Sequence, residues 1–344
     1  MKRKEIQKVR DILQSVHKIA VVFHFNPDGD AVGCALALYH YFKDDGYEVS
    51  VVSPNAFPDF LGWMDGSEQI IVAQEEPEKA QEAIRNAELL FVVDMNAPHR
   101  AGDLADSIKK FKGAKILIDH HLQPDIVCDV MYSTSKTSSA CELVYNFLYR
   151  YLTPQRPFTK AIAEALYVGI ITDTGSVSYA CDCPNTYHVL KKLITSGIDG
   201  ESIHRKVYDN YSESRIRLLG LALSQRLTVL PEYGVSYIYL TKKDLLDNNF
   251  QIGDTEGFVN YGLSIKSVEF TAFFTERDNR IRVSFRSKGD FDVNVFARTF
   301  FNGGGHRNAA GAFYYGTIQE AVAHFERAVK IERAAHTEML YNND

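Results

Sequence analysis

The chain has 344 residues, 45% hydrophobic and 12% aromatic, which is globular composition and enough length for two modest domains rather than one large core. Its 38 Lys and Arg against 44 Asp and Glu give a formal charge of −6, which excludes a broad electrostatic grip on long nucleic acid and requires any anionic ligand to meet a locally basic pocket. The charged, amphipathic start MKRKEIQKVR has no apolar signal core behind it, and no apolar run approaches the roughly 18 residues of a membrane span, so a soluble, cytoplasmic protein is expected.

IAVVFH, Ile19 to His24, predicts a buried strand, and AVGCALALYHYF after it has helical length and periodicity. YEVSVV, LLFVVD and AKILID predict three more strands, each a near-continuous apolar run of the kind parallel strands show when both faces are covered. Their alternation with helical stretches predicts an α/β fold: a mainly parallel sheet with flanking helices. From Thr137 to about Asn210 the pattern is helical, through SSACELVYNFLYRYL, TKAIAEALYVGIIT, NTYHVLKKLITSG and ESIHRKVYDN. SESRIRLLGLALS, Ser212 to Ser224, predicts a connecting helix before the pattern changes. The expected organisation is residues 1–205 as the first domain, 206–228 as a helical linker and 229–344 as a smaller α+β domain with a mixed sheet. In that second domain QRLTVL, GVSYIYL, SVEFTAFF and IRVSFRS predict strands. DVNVFARTFF predicts a helix, the glycine cluster NGGGH follows, and a terminal helix is expected from about Ile318.

The five cysteines, Cys34, Cys128, Cys141, Cys181 and Cys183, form no framework of paired spacings and are expected as reduced thiols. Cys181 and Cys183 make a C-x-C pair, but no second Cys/His pair at zinc-finger spacing accompanies it, which favours packing or loop roles over a zinc site.

The informative feature is where Asp and His fall. The first strand ends in HFNPDGDAVG, which places His24, Asp28 and Asp30 on the loop before the next helix. LLFVVD ends at Asp94, AKILIDHH ends at Asp119, His120 and His121, and GIITDTGS delivers Asp173. In an open α/β sheet the carboxyl ends of the strands share one edge, where ligands bind. Taken singly, each residue has an ordinary explanation as a cap, a turn or a satisfied core histidine. Taken together they crowd carboxylates whose repulsion cations would relieve. Four carboxylates with one or two imidazoles and no cysteine disfavour structural zinc, while the histidines are softer than Mg²⁺ or Ca²⁺ usually recruit, so Mn²⁺ fits best, with Mg²⁺ or Co²⁺ as substitutes. The number of ligands exceeds one ion's needs and predicts a two-metal centre suited to in-line attack on a phosphoryl group.

HFNPDGDAVG, VVDMN, IDHH and ITDTG, in this order, resemble the four motifs of the DHH phosphoesterases, and GGGHRNAAG, Gly303 to Gly311, resembles the signature of the DHH-associated domain. The resemblance covers nearly the whole chain and points to the subfamily of nanoRNases and 3′-phosphoadenosine 5′-phosphate phosphatases. It implies a dinuclear Mn²⁺ centre with His24, Asp28 and Asp94 on one ion and Asp30, Asp94, His120 and Asp173 on the other. His121 would face the substrate or the attacking water, and Asp119 would orient the imidazoles. Met95-Asn96 and Cys34 depart from the family pattern at positions that are not implied ligands.

The same resemblance assigns the substrate phosphate to Arg286 in VSFRSKG and to His306. Gly303, Gly304 and Gly305 are expected to let backbone N–H groups approach the anion. Arg277, Arg280, Arg282, Arg286, Lys288, Arg298 and Arg307, against Asp278, Asp290 and Asp292, make this the locally basic stretch. The expected substrates are two- to five-nucleotide RNA or the mononucleotide phosphoadenosine phosphate, with the second domain clamping the far end. No membrane partner and no additional domain for long nucleic acid is expected. A homodimer would pack through the first domain's extra helices. The alternatives are hydrolysis of cyclic or linear dinucleotides, and exopolyphosphatase or pyrophosphatase activity, although GGGHRNAAG counts against the pyrophosphatases, whose second domain differs. A nucleotide-binding sensor without turnover is least favoured, because every expected ligand is present.

Overall fold

The computed structural model describes residues 1–179, 182–209, 211–277 and 280–341, with side chains as far as Ala334. Cys181 of the C-x-C pair and Asp278 of the basic stretch lie outside the described residues. Two compact units divide the chain, Met1–Asn210 and Tyr211–Asp344.

The first unit runs α1 (Arg3–Gln14), β1 (Lys18–Val22), α2 (Gly29–Asp44), β2 (Glu48–Ser53), β3 (Ile71–Val72), α3 (Pro77–Asn86), β4 (Leu89–Val93), α4 (Ala105–Lys110), β5 (Ala114–Asp119), β6 (Val130–Ser133), α5 (Ala140–Tyr145), α6 (Lys160–Asp173), α7 (Pro184–Thr195) and α8 (Gly200–Tyr208). The sheet order is β3-β2-β1-β4-β5-β6 and every pairing is parallel. Strand alternation divides the apolar runs between two cores: Ile19, Val21, Leu89, Phe91, Val93, Ile116 and Ile118 join one, while Ala20, Val22, Leu90, Val92 and Leu117 join the other. Burial on both faces explains why these strands carry no polar alternation.

The chain leaves β1 toward β2 on one side and reaches β4 on the other, so the β1–β4 boundary is the point where the strand order reverses. That is where an open α/β sheet forms its ligand crevice. The register fixes its floor. Val22 pairs with Val92 and Val93 with Ile118, which sets His24, Asp94 and Asp119 in one row across the strand ends.

Above β1, helices α2, α5 and α6 interlock through glycines. A Cβ on Gly33 would lie 2.5 Å from the Ala165 carbonyl oxygen, and one on Gly169 would lie 2.2 Å from Cys141 Sγ and 3.0 Å from Asp30 Oδ1. The glycine ending HFNPDGDAVG, Gly33, lies inside α2 and therefore serves helix packing rather than the loop.

The second unit runs α9 (Glu213–Gln225), β7 (Leu227–Leu230), β8 (Val235–Leu240), α10 (Lys242–Asp247), α11 (Phe258–Leu263), β9 (Phe270–Arg277), β10 (Arg280–Ser287), α12 (Val293–Phe301), β11 (Gly304–Gly305), β12 (Ala309–Tyr314) and α13 (Ile318–Tyr341). Its sheet, ordered β11-β12-β10-β9-β8-β7, is mixed, with β8 and β9 parallel and the other pairs antiparallel. An aromatic core of Phe270, Phe274, Phe285, Phe296 and Phe325 holds α12 and α13 on it. Among the described residues no helix is long and apolar enough to cross a membrane.

Candidate metal centre

Each acidic or imidazole group is delivered by an element end. His24 follows β1, Asp94 follows β4, Asp119 closes β5 with His120 and His121 next, and Asp173 closes α6. Asp28 caps α2, accepting from the amides of Asp30 and Ala31. Asp30 lies in the first turn of α2, not on the preceding loop as the sequence suggests, because the cap is already formed at Asp28. Its carboxylate is buried and faces the start of α5: Ala140 N donates to Oδ2 at 2.6 Å and Cys141 N to Oδ1 at 2.8 Å. These are two of the amides a helix start leaves without an intrahelical acceptor.

Asp94 is the hub. It has φ +54°, a conformation that Asp tolerates better than most residues, and is 2% exposed. Oδ2 lies 3.3 Å from His24 Nε2, which is itself 3.9 Å from Asp28 Oδ1. Oδ1 lies 3.3 Å from His120 Nε2, which faces Asp173 Oδ2 at 3.7 Å and Asp30 Oδ2 at 3.8 Å. Two ligand sets therefore share Asp94 through different oxygens. Ligand atoms about 2.1 Å from one cation and at right angles are about 3 Å apart, so these separations suit a small divalent ion. Asp94 Oδ1 is also buried without a hydrogen-bond partner, as is Asp119 Oδ2. An orphaned carboxylate oxygen facing an imidazole, as Asp94 Oδ1 faces His120, fits the role of a cation ligand.

The electrostatics agree. Burial, then the charges of Asp94 and Asp173, push the Asp30 carboxyl well above the usual carboxylate range. Burial and Asp94 push Asp119 up to about 6. For Asp94 burial acts upward too, but the imidazoles of His120 and His24 beside it outweigh it and hold the carboxyl well below its ordinary value. Burial opposes the charged forms of His24 and His120; Asp94, with Asp28 for the first and Asp173 for the second, overcomes it and raises both. A pocket of mutually repelling carboxylates that stabilises positive charge on each imidazole is prepared for cations.

His121 also faces the hub, with Nδ1 3.7 Å from Asp94 Oδ1, but its hydrogen bond goes elsewhere. Its Nδ1 bonds Asp119 Oδ1 at 2.8 Å, and Asp119 is fully buried. Arg100, which carries no motif signal in the sequence, comes close enough for its charge to act on both His24 and Asp119. Its carbonyl accepts from Phe25 N, next to His24.

In the second unit, Arg286 lies on β10 with Nη1 donating to the Phe285 carbonyl at 2.9 Å. The glycine cluster differs from expectation. Gly303 N donates to the Ala297 carbonyl and Gly305 N to Asn294 Oδ1, both at 3.0 Å, so two of the three amides are already engaged within the unit. A Cβ on Gly303 or Gly305 would lie 2.3 Å from the Gly311 carbonyl oxygen or 2.5 Å from that of Ala309. Close pairing with β12, a strand the sequence did not announce, accounts for both glycines. Gly304 instead faces Asn294 and Arg298. Several arginines and lysines of the basic stretch have structural contacts: Arg277 stacks on Phe250, Arg280 on Phe313, Lys288 donates to the Ile265 and Val268 carbonyls, and Arg307 pairs with Asp290.

Residues 18–170 match the DHH family, N-terminal domain, and residues 233–331 match the DHHA1 domain. The chain is 40% identical to an exopolyphosphatase-related protein of known structure from Bacteroides fragilis, with a TM-score of 0.91 over 97% of this chain and 98% of that one. It is 26% identical to the bifunctional oligoribonuclease and PAP phosphatase NrnA of Bacillus subtilis, over 85% of this chain and 88% of that protein. It is 27% identical to the protein of the same name from Thermus thermophilus, over 95% of this chain and 94% of that one.

Proposed function

The chain belongs to the DHH family, with a DHHA1 domain, and on that premise we propose that it uses two Mn²⁺ ions to hydrolyse very short oligoribonucleotides and 3′-phosphoadenosine 5′-phosphate. Membership makes it a metal-dependent hydrolase of phosphoester bonds. The finer reading rests on one observation above the rest: Asp94 turns one carboxylate oxygen to His24 and the other to His120. That division would let one carboxylate serve two ions.

In this reading His24, Asp28 and Asp94 hold one ion, and Asp30, Asp94, His120 and Asp173 hold the other. When bound, such a pair supplies a water of lowered pKa and neutralises charge on the phosphoryl oxygens. The protein's own part is orientation and proton handling. The α5 amides fix the plane of the Asp30 carboxylate. Asp119 accepts Nδ1–H of His121, which leaves Nε2 as the atom that exchanges a proton with the substrate. Arg286 and His306 of the DHHA1 domain bind a substrate phosphate beside the glycine cluster, whose Gly303 and Gly305 amides are taken up within the unit. The two NrnA relatives, whose name covers both activities, and the basic residues of the second unit support this substrate class.

The test is a substrate panel: purified protein with Mn²⁺ and a labelled dinucleotide, a labelled pentanucleotide, phosphoadenosine phosphate, pyrophosphate or polyphosphate. Release from the first three supports the reading. Turnover confined to pyrophosphate or polyphosphate would replace it with a polyphosphatase.

A further inference from the structure

Glu142 is a carboxylate for which the proposed reaction has no use. It lies in the first turn of α5 and is 2% exposed. Uncharged donors surround it. Oε2 accepts from the Ser138 amide at 3.2 Å, the Ser138 hydroxyl at 2.7 Å and the Thr186 hydroxyl at 2.6 Å. Oε1 accepts from Asn185 Nδ2 at 2.6 Å and has the Cys183 thiol at 3.9 Å. Burying a carboxylate is costly unless its lone pairs are matched, and here each oxygen is matched by separate parts of the chain. Ser138 precedes the α5 cap, while Cys183, Asn185 and Thr186 begin α7.

The same turn touches the metal centre. Three amides open α5 without a partner in their own helix. Those of Ala140 and Cys141 go one to each oxygen of Asp30, and that of Glu142 goes to Ser139 Oγ at 3.1 Å. The Cys141 side chain also meets α2, with Asp30 O and Cys34 Sγ each at 3.5 Å, while the Glu142 side chain is what ties this turn to the start of α7. The bonds to Asn185 and Thr186 also anchor the far end of the segment that leaves α6 at Asp173.

We infer that Glu142 is a positioning residue for the metal centre: by clamping the first turn of α5 between Ser138 and the start of α7, it holds the two amides that orient the Asp30 carboxylate. This rests on the two-ion reading above. It makes an asymmetric prediction, because Asp30 belongs to one ligand set only. Loss of the clamp should weaken the ion held by Asp30, Asp94, His120 and Asp173 and spare the ion held by His24, Asp28 and Asp94. Partners behind a ligand are worth about 10- to 100-fold in metal affinity.

The experiment titrates metal-stripped wild type, Glu142→Ala and Glu142→Gln with Mn²⁺, read by calorimetry and by electron paramagnetic resonance, with melting curves as a check on folding. Wild type should bind two ions and give the spectrum of a spin-coupled pair. Glu142→Ala should fill one site within about threefold of wild type and the other about 10- to 100-fold more weakly, leaving an isolated-ion spectrum at two equivalents. Glu142→Gln should recover most of the coupled signal, because its amide oxygen can serve Ser138 and Thr186 while Asn185 turns its own oxygen to the new NH₂. Thr186→Val, which deletes one clamp bond, should weaken the same ion to a smaller degree and decides the matter where Glu142→Ala does not fold. A coupled pair of wild-type affinity in folded Glu142→Ala overturns the inference, as does equal weakening of both ions without rescue by Gln. A wild type that binds a single ion overturns the two-ion reading itself, which is a separate failure.

Discussion

Asp119 Oδ1 lies 2.8 Å from Nδ1 of His121, so a fully buried carboxylate sets the tautomer of the one imidazole in the triplet that neither ligand set uses. Asp119→Asn keeps the shape and an acceptor oxygen but removes the charge that stabilises a protonated ring. We expect kcat to fall by about 10- to 100-fold with Mn²⁺ content unchanged. Steady-state kinetics beside metal analysis of the same preparation checks this, and loss of metal in step with activity would refute the separation of roles.

Replacement of Asp94 should be far more damaging. Asp94→Asn retains the backbone tolerance for φ +54° but leaves one oxygen where two are shared between His24 and His120. Turnover should drop by at least about 10³-fold and bound Mn²⁺ should fall from two ions toward one or none. Metal counting by mass spectrometry and a discontinuous assay with a dinucleotide test it; near-normal activity would reject the bridging role.

An ion held by the folded pocket and not by the unfolded chain, as proposed for Mn²⁺, should stabilise the N-terminal unit. At a hundredfold excess over the dissociation constant the gain is about 2.7 kcal/mol, which is about 5–10 °C for a unit of this size. Melting curves with Mn²⁺ and with a chelator measure it. Identical curves would mean that the carboxylate cluster holds no ion under those conditions.

Gly169→Ala puts a methyl group against Cys141 Sγ and Asp30 Oδ1. We expect about 1–3 kcal/mol of destabilisation and weaker metal binding, because the methyl disturbs the helix junction that carries Asp30. The double variant Gly169→Ala/Cys141→Ala should recover much of the stability. Urea unfolding of the four proteins closes the cycle, and strict additivity would show that the two positions do not compete for one space.

Arg286→Ala and His306→Ala should raise KM for dinucleotides and for phosphoadenosine phosphate by about 10-fold or more, with Mn²⁺ content intact, since a charged hydrogen bond contributes about 1.5–3 kcal/mol. A pure kcat effect, or loss of metal, would contradict a binding role in the second unit.

Much of this architecture is legible in the residues because apolar runs and strand ends are sequence features. IAVVFH, YEVSVV, LLFVVD and AKILID each mark a parallel strand, β2 buried only in its second half, and the Asp and His at the ends of the other three fall together once the strands align. The short strands β3 and β6 were not legible: two residues of Ile71–Val72 and the partly exposed VMYS make no run long enough to stand out. AAGAFY was absorbed into the glycine motif, which hid β12 and with it the packing reason for Gly303 and Gly305. The clamp on Asp30 was invisible for a different reason. Its donors are backbone amides, which every residue carries, and Glu142 looks like any acid in an amphipathic helix until Ser138, Asn185 and Thr186 close around it.

The row formed by His24, Asp94 and Asp119 makes the sheet a ruler. A residue gained or lost in an exposed turn, such as 43–46 at the end of α2 or 74–76 before α3, changes only a connection on the surface. One gained or lost inside β1, β4 or β5 moves a donor atom by about 3.3 Å and turns it to the opposite face. Variation in length is therefore expected to be tolerated in the exposed turns and barred within the strands and the buried helix α2, so libraries that insert or delete single codons along residues 18–120 should show survivors clustered in turns such as 43–46 and 74–76 and none in the rungs.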